Sequence, residues 1–135
     1  MLPTFNHHGD LLLIDKVLTW RFEGYSLQRG DVVIAFSPHV TGQHVCKRIV
    51  ALPRDVVQMG NGRKVAVRLC GSHCACGSTI PHGHVWLEGD NPTNSTDSRY
   101  YGPVPLAMVQ GRVAARVWPP HKFKADMSKV ARPDA

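Results

Sequence analysis

Twelve glycines and ten prolines punctuate this 135-residue chain, and they fall between short apolar runs. Proline removes a backbone donor and glycine favours turns, so such frequent interruption works against long helices and suits many short strands. The expected fold is mainly β, antiparallel, with little helix. With 43% hydrophobic residues, a chain of this length has material for one core and one domain.

Leu11 to Val17 reads as a first strand, and Asp31 to Phe36 as a second, introduced by the turn-forming pair Gly30-Asp31. Between them, residues 18–29 mix aromatic and polar types without a clean period, as in a loop or a short helical turn. His44 to Ala51 is a third strand, and Asp55 to Gln58 a fourth after Pro53. Asn61-Gly62 predicts a hairpin leading into Arg63 to Leu69. His84 to Leu87 and Gly111 to Trp118 supply the last strands. Pro119-Pro120 ends the domain, which leaves 1–119 as the folded unit and 120–135 as a polar, disordered tail.

A formal charge of +6 raises the question of a phosphate-bearing partner, but the cations are scattered. The densest stretch, Lys122, Lys124, Lys129 and Arg132, is broken by Asp126 and Asp134 and reads as a solvated tail, so no nucleic-acid partner is expected. No run approaches the eighteen or so apolar residues of a spanning helix, and the first ten residues lack the marks of a targeting segment, so the sequence as it stands is expected to be soluble. Cys70, Cys74 and Cys76, with His73, His82 and His84 nearby, are of zinc-ligand type, yet Cys-x3-Cys-x-Cys matches no usual knuckle. A disulfide such as Cys70 to Cys76, free thiols and a bound metal all stay open there, and the expectation is no metal and no cofactor.

Three separated segments carry chemistry. The chain opens Met1-Leu2-Pro3-Thr4, its third strand contains Cys46-Lys47-Arg48, and a later block runs from Gly89-Asp90-Asn91 through Asn94-Ser95-Thr96-Asp97-Ser98-Arg99 to Gly102-Pro103. A lysine acts as a general base only when neutral, and an unperturbed amine with a pKa of ~10.4 is almost fully charged at neutral pH. Lys47 sits among β-branched and apolar neighbours, where desolvation disfavours the ammonium form. Lowering its pKa to about 7–8, the useful range for a base, corresponds to roughly 4 kcal/mol of lost charge stabilisation. Strand alternation puts Lys47 and Arg48 on opposite faces, so that one points inward while the other stays wet. Taken alone, the two read more readily as edge-strand cations that discourage edge pairing.

Together with Arg29-Gly30-Asp31, these segments resemble, in order and spacing, the signal peptidase I family over about residues 1 to 119. The stretch His84 to Pro105, followed by Gly111-Arg112 and Trp118-Pro119, looks most like the subunit 1 type of its mitochondrial inner-membrane branch. The resemblance implies the antiparallel β-fold shared with LexA-like proteins and a serine endopeptidase with a Ser/Lys dyad. Its activity would be removal of N-terminal sorting or signal peptides at the inner membrane, facing the intermembrane space. Lys47 matches the base, Ser95 a serine that orients it, and Asp97 and Arg99 a pair that braces the loop. The family's nucleophile matches the position immediately before Met1. An N-terminally truncated sequence, missing that serine and a membrane-anchoring helix, is therefore expected, and the polypeptide as it stands is expected not to cleave peptide bonds. The resemblance also implies a second protease subunit as partner.

The substrate is expected to be an extended peptide adding a strand beside exposed edges, with Leu2, Pro3, His44, Val45 and Cys46 lining the groove. Ser95 and Asp97 fall on one side of an extended segment, although Asn94 to Asp97 also reads as a polar turn of Asx and Ser/Thr type. One departure concerns Arg54, where members of the family usually carry glycine: a positive φ there would strain an arginine. The rivals are a self-cleaving LexA-type domain, a catalytically inactive partner subunit of such a protease, and a zinc- or nucleic-acid-binding module.

Overall fold

A computed structural model describes residues 4–5, 8–16, 27–59, 65–69, 78–91 and 93–119. Nine strands carry the fold: β1 (Leu11–Asp15), β2 (Val32–Phe36), β3 (His44–Ala51), β4 (Asp55–Met59), β5 (Val65–Leu69), β6 (Ser78–Thr79), β7 (His84–Glu88), β8 (Val104–Pro105) and β9 (Val109–Trp118). A single-turn helix, α1 (Ser98–Tyr101), and a 3-10 turn at Leu106–Met108 are the helical elements among the described residues. The protein is thus mainly antiparallel β, as its punctuation predicts. The boundary of β3 is as expected, while β1 stops two residues earlier than Val17 and β9 begins two earlier than Gly111. No helix of the described residues is long and apolar enough to cross a membrane.

Six strands form one sheet in the order β1-β9-β2-β3-β7-β8, and β5-β4-β6 form a second. β3 is the strand that matters most for the site. Its first five residues pair with β2, from Phe36 opposite His44 to Val32 opposite Arg48. Its later residues pair with β7, where Arg48 opposes Glu88 and Ile49 opposes Leu87. The hydrophobic alternation of β2, β3 and β7 sends Val33, Ala35, Ile49, Val85 and Leu87 into one core cluster, joined by Val104 and Val109. Phe5, Val32 and Val113 form a separate cluster.

β4 and β5 are antiparallel neighbours with Met59 opposite Val65, as a hairpin requires, while Asn61 and Gly62 lie outside the described residues. So do Cys70, Cys74, Cys76, His73 and the tail 120–135.

The Leu52-Pro53-Arg54-Asp55 turn resolves the departure noted at Arg54. Asp55 N–H donates to Leu52 O at 3.1 Å, and Arg54 has φ of 73°. Proline second, with a positive φ third, describes a type II turn, whose third position favours glycine. The turn holds because Asp55, buried, accepts from Leu52 N at 2.8 Å and from Arg29 Nε at 2.8 Å. Left-handed backbone costs an L-residue roughly 1–2 kcal/mol. Arg54→Gly is expected to stabilise the fold by about 1 kcal/mol, after glycine's own entropy cost is subtracted, in urea unfolding with an unchanged slope.

Candidate active site

The side chain of Lys47 leaves the middle of β3 half-buried, and its Nζ donates to Ser95 Oγ at 2.6 Å. Forty-eight residues separate the two, and the closeness arises because the loop after β7 folds back across β3. Gly89, at the end of β7, makes this possible. A methyl group there would sit 2.2 Å from Ser95 Oγ, 2.7 Å from Ser95 Cβ and 3.4 Å from Lys47 Nζ. The first two separations are shorter than any real contact, so a side chain at position 89 cannot coexist with Ser95 where it stands.

Arg48 departs from expectation. Alternation does send it away from Lys47, but it does not stay wet: it is 5% exposed. Asp90 neutralises it, accepting from Nε at 2.8 Å and from Nη2 at 2.9 Å, while Nη1 donates to Gly30 O at 2.8 Å. A buried charge persists when paired and hydrogen-bonded in this way. Asp90 also accepts a short hydrogen bond from Thr4 Oγ1, which ties the start of the described chain to the same pair.

Asp97 is 0% exposed and accepts from Gly89 N at 3.2 Å, Arg99 N at 3.2 Å and Arg99 Nε at 2.8 Å. It is the N-cap of α1 and, with Arg99, braces the loop against β7. Ser98, also buried, accepts from Leu87 N at 2.9 Å and adds a second tie. Of the alternative reading of Asn94 to Asp97 as a polar turn, Asp97 shows an Asx-type bond from Arg99 N, and a further one lies earlier at Asn91, whose Oδ1 accepts from Thr93 N at 3.2 Å and Thr93 Oγ1 at 2.7 Å.

Electrostatics follow from this packing. Burial lowers the Lys47 amine below its ordinary value. Asp97 pulls it back up, but Arg99 opposes Asp97. For Asp97 itself burial acts upward, yet the hydrogen bonds from Arg99 and from the Gly89 and Arg99 amides outweigh it and leave the carboxyl below its usual range. Asp90 behaves alike: burial raises it, and Arg48 and Thr4 more than compensate. Burial pushes the Cys46 thiol up to about 11.

Among the described residues, no strand pairs with His44–Lys47 on the side of β3 away from β2, because β7 begins its pairing only at Arg48. Among the described residues, this leaves a length of strand edge up to Lys47 without a partner strand. Along it, His44 is exposed and stacks on Phe36 with ring centroids 4.7 Å apart. Val45 packs on the main core, and Cys46 on the Phe5, Val32 and Val113 cluster, so the side chains of both are turned into protein. Leu2 and Pro3 lie outside the described residues. The described residues hold no group of three or more His, Cys, Asp or Glu arranged for a metal.

The sequence pattern of the family described as signal peptidase, peptidase S26, matches residues 1–74 and 67–118. The chain belongs to the peptidase S26 family. Mitochondrial inner membrane protease subunit 1 of Schizosaccharomyces pombe is 44% identical over 125 residues, covering 90% of this chain and 70% of that protein. The human protein of that name is 42% identical over 99 residues, covering 73% of this chain and 55% of its own length. Subunit 2 of Danio rerio is 32% identical over 128 residues, 92% of this chain and 62% of that protein. The chain thus spans between about half and seven tenths of the length of these relatives. Among solved structures, a signal peptidase I from Enterococcus faecalis superposes with a TM-score of 0.52 at 25% identity, covering 64% of this chain and 96% of that one.

Within the S26 frame, the structure brings together Lys47, Ser95, Asp97 and Arg99, which the sequence singles out. Sequence reasoning misses the roles of Gly89, Asp90, Arg48 and Thr4. A signal was available for the pair: a second cation adjacent to Lys47 and a second carboxylate in Gly89-Asp90-Asn91 form a matched set of opposite charges. Gly89→Ala is expected to push Ser95 off Lys47 and to destabilise the fold by about 1–3 kcal/mol, as overpacking does. NMR of labelled lysine in that variant should show the Lys47 titration displaced from its wild-type position.

Proposed function

We propose that this S26 domain is the catalytic part of a Ser/Lys-dyad endopeptidase that removes N-terminal sorting or signal peptides from precursors delivered to the mitochondrial intermembrane space. The observation that carries the proposal is the half-buried Lys47 amine, lowered by desolvation and hydrogen-bonded to a neutral hydroxyl at 2.6 Å. An amine so situated is ready to be neutral and to take a proton.

In this mechanism the nucleophile is a serine at the family position immediately before Met1. Its hydroxyl gives its proton to Lys47 Nζ as Oγ bonds to the substrate carbonyl carbon. The lysine ammonium then protonates the leaving amine, the C–N bond breaks, and an acyl-enzyme ester remains. Water, giving a proton to the again neutral Lys47, hydrolyses that ester. Ser95 fixes the direction of the amine, and the Asp97–Arg99 pair holds Ser95's loop without presenting a free carboxylate that would recharge the lysine. The substrate peptide adds as a strand along the β3 edge at His44, Val45 and Cys46, through backbone hydrogen bonds. The two core-packed side chains support that edge, and His44 faces the peptide. The names of the relatives support an inner-membrane location, attachment by an upstream helix, and a second protease subunit as partner.

Peptide cleavage by a chain carrying serine immediately before Met1 tests this. The rate should rise with pH through an apparent pKa below the ordinary lysine value of ~10.4, because the base is the neutral form and burial favours it. Lys47→Ala should lose on the order of 10^3-fold or more. Wild-type inactivity at every pH, with a folded domain, would leave the inactive-subunit alternative in its place. A charged substitution at the exposed His44 is expected to raise KM; unchanged cleavage moves the substrate elsewhere.

A further inference from the structure

Arg116, near the end of β9, belongs to none of the motifs above, yet it is 4% exposed. Its Nη2 donates a short hydrogen bond to the backbone carbonyl of Thr4, and its guanidinium lies over the Phe5 ring, 5.2 Å from the centroid. Nη1 stands 3.7 Å from Asp10 Oδ2. One side chain therefore touches both ends of the segment from Thr4 to Asp10. Nε and Nη1 are nonetheless buried without a hydrogen-bond partner. Leaving buried donors unpaired is costly, most of all on a charged group, and an apolar side chain filling the same place would avoid that cost. The contact pattern gives a reason for a guanidinium here, since it alone reaches the Thr4 carbonyl, the aromatic face and the carboxylate at once.

Thr4 is held from its other side as well, its hydroxyl donating to Asp90, which is itself forked by Arg48 beside Lys47. We infer that Arg116 is a positioning residue that, with the Arg48–Asp90 pair, clamps Thr4 and so sets where the chain before it enters the Lys47 site. This rests on the proposed function above, in which the nucleophile adjoins Met1. A serine four residues before Thr4 lies within about 14 Å of it even along fully extended chain. Placement of Thr4 therefore limits where that serine can lie, and displacement of a reacting atom by 1 Å can cost ~100-fold in rate.

The test uses the full chain with serine immediately before Met1. Arg116→Gln is expected to lower kcat by about 10- to 100-fold with KM within about twofold, and Arg116→Lys, which keeps a charged donor for the Thr4 carbonyl, to recover much of the loss. Amide exchange at Thr4 and Phe5 should quicken in Arg116→Gln, while β3 and β7 keep their protection and the Lys47 titration stays put. An unchanged kcat in a folded Arg116→Gln, or a loss in which KM rises and kcat holds, overturns the clamp. Should Arg116→Gln not fold, Phe5→Leu makes the same comparison: it removes the ring beneath the guanidinium while keeping an apolar filler, and a kcat equal to wild type counts against the clamp. If wild type itself is inactive, the proposed function fails, and the exchange rates at Thr4 and Phe5 still decide whether Arg116 holds the segment.

Discussion

Lys47 meets a hydroxyl where its cationic neighbours meet carboxylates, and the site depends on that contrast. Arg29 pairs with Asp55, Arg48 with Asp90 and Arg99 with Asp97, each close enough to fix the charged form. Among the described residues no carboxylate comes within ion-pair distance of Lys47 Nζ, whose hydrogen bond goes to Ser95 Oγ. The Asp97 carboxylate raises the lysine, less than burial lowers it, and Arg99 opposes Asp97. Desolvation is thus the largest influence on this amine, and it lowers the pKa below the ordinary lysine value.

Sheet topology supplies the geometry. β3 is shared, its first half zipped to β2 and its second to β7, and the changeover falls at Arg48. Just before the changeover no strand among the described residues pairs with that edge, and just after it the returning chain from β7 crosses β3 to deliver Ser95. Gly89 allows that crossing at close range, because any Cβ would occupy the position of Ser95. The Asp97 carboxylate then fixes the crossing, receiving the Gly89 and Arg99 amides while capping α1. One strand therefore offers an edge that fits an extended chain and, at the next residue, an amine that fits a proton acceptor.

Much of this was legible in the residues themselves. β3 has the expected bounds because its β-branched residues suit a strand and it pairs with β2 over His44–Arg48 and with β7 from Arg48 on. α1, β6 and β8 escaped because four residues or two carry no periodicity, and their conformation is set by tertiary contacts such as Ser98 with Leu87 N. Arg48 misled for a different reason. Alternation gives the face on which a side chain lies but says nothing of a counter-ion forty-two residues away, and Asp90 turns a position expected to be wet into a buried pair. Arg54 shows the opposite case, since the resemblance, with glycine usual at this position, pointed to the positive φ that the turn has, whereas Leu-Pro-Arg-Asp by itself suits a type I turn as well.

The protonation equilibria of the site largely favour the same state. Because burial lowers Lys47, the native chain binds fewer protons than the unfolded one between its lowered value and the ordinary one near 10.4, so folding stability from this group grows with pH across that window and is lost as pH falls through the lowered value. Asp90 and Asp97, also lowered, contribute stability that is present above the usual carboxylate value and lost as pH falls through their own. Glu88 runs against them. Burial raises it despite the hydrogen bond from Trp86, so its contribution belongs below its unfolded value and is lost as pH rises through the raised one. With that one exception, the fold shifts each group toward the form the proposed chemistry needs: the carboxylates toward the charged form, the lysine toward the neutral one. Function and stability conflict here less in protonation than in packing, at the glycine that must stay small and the arginines that must stay buried.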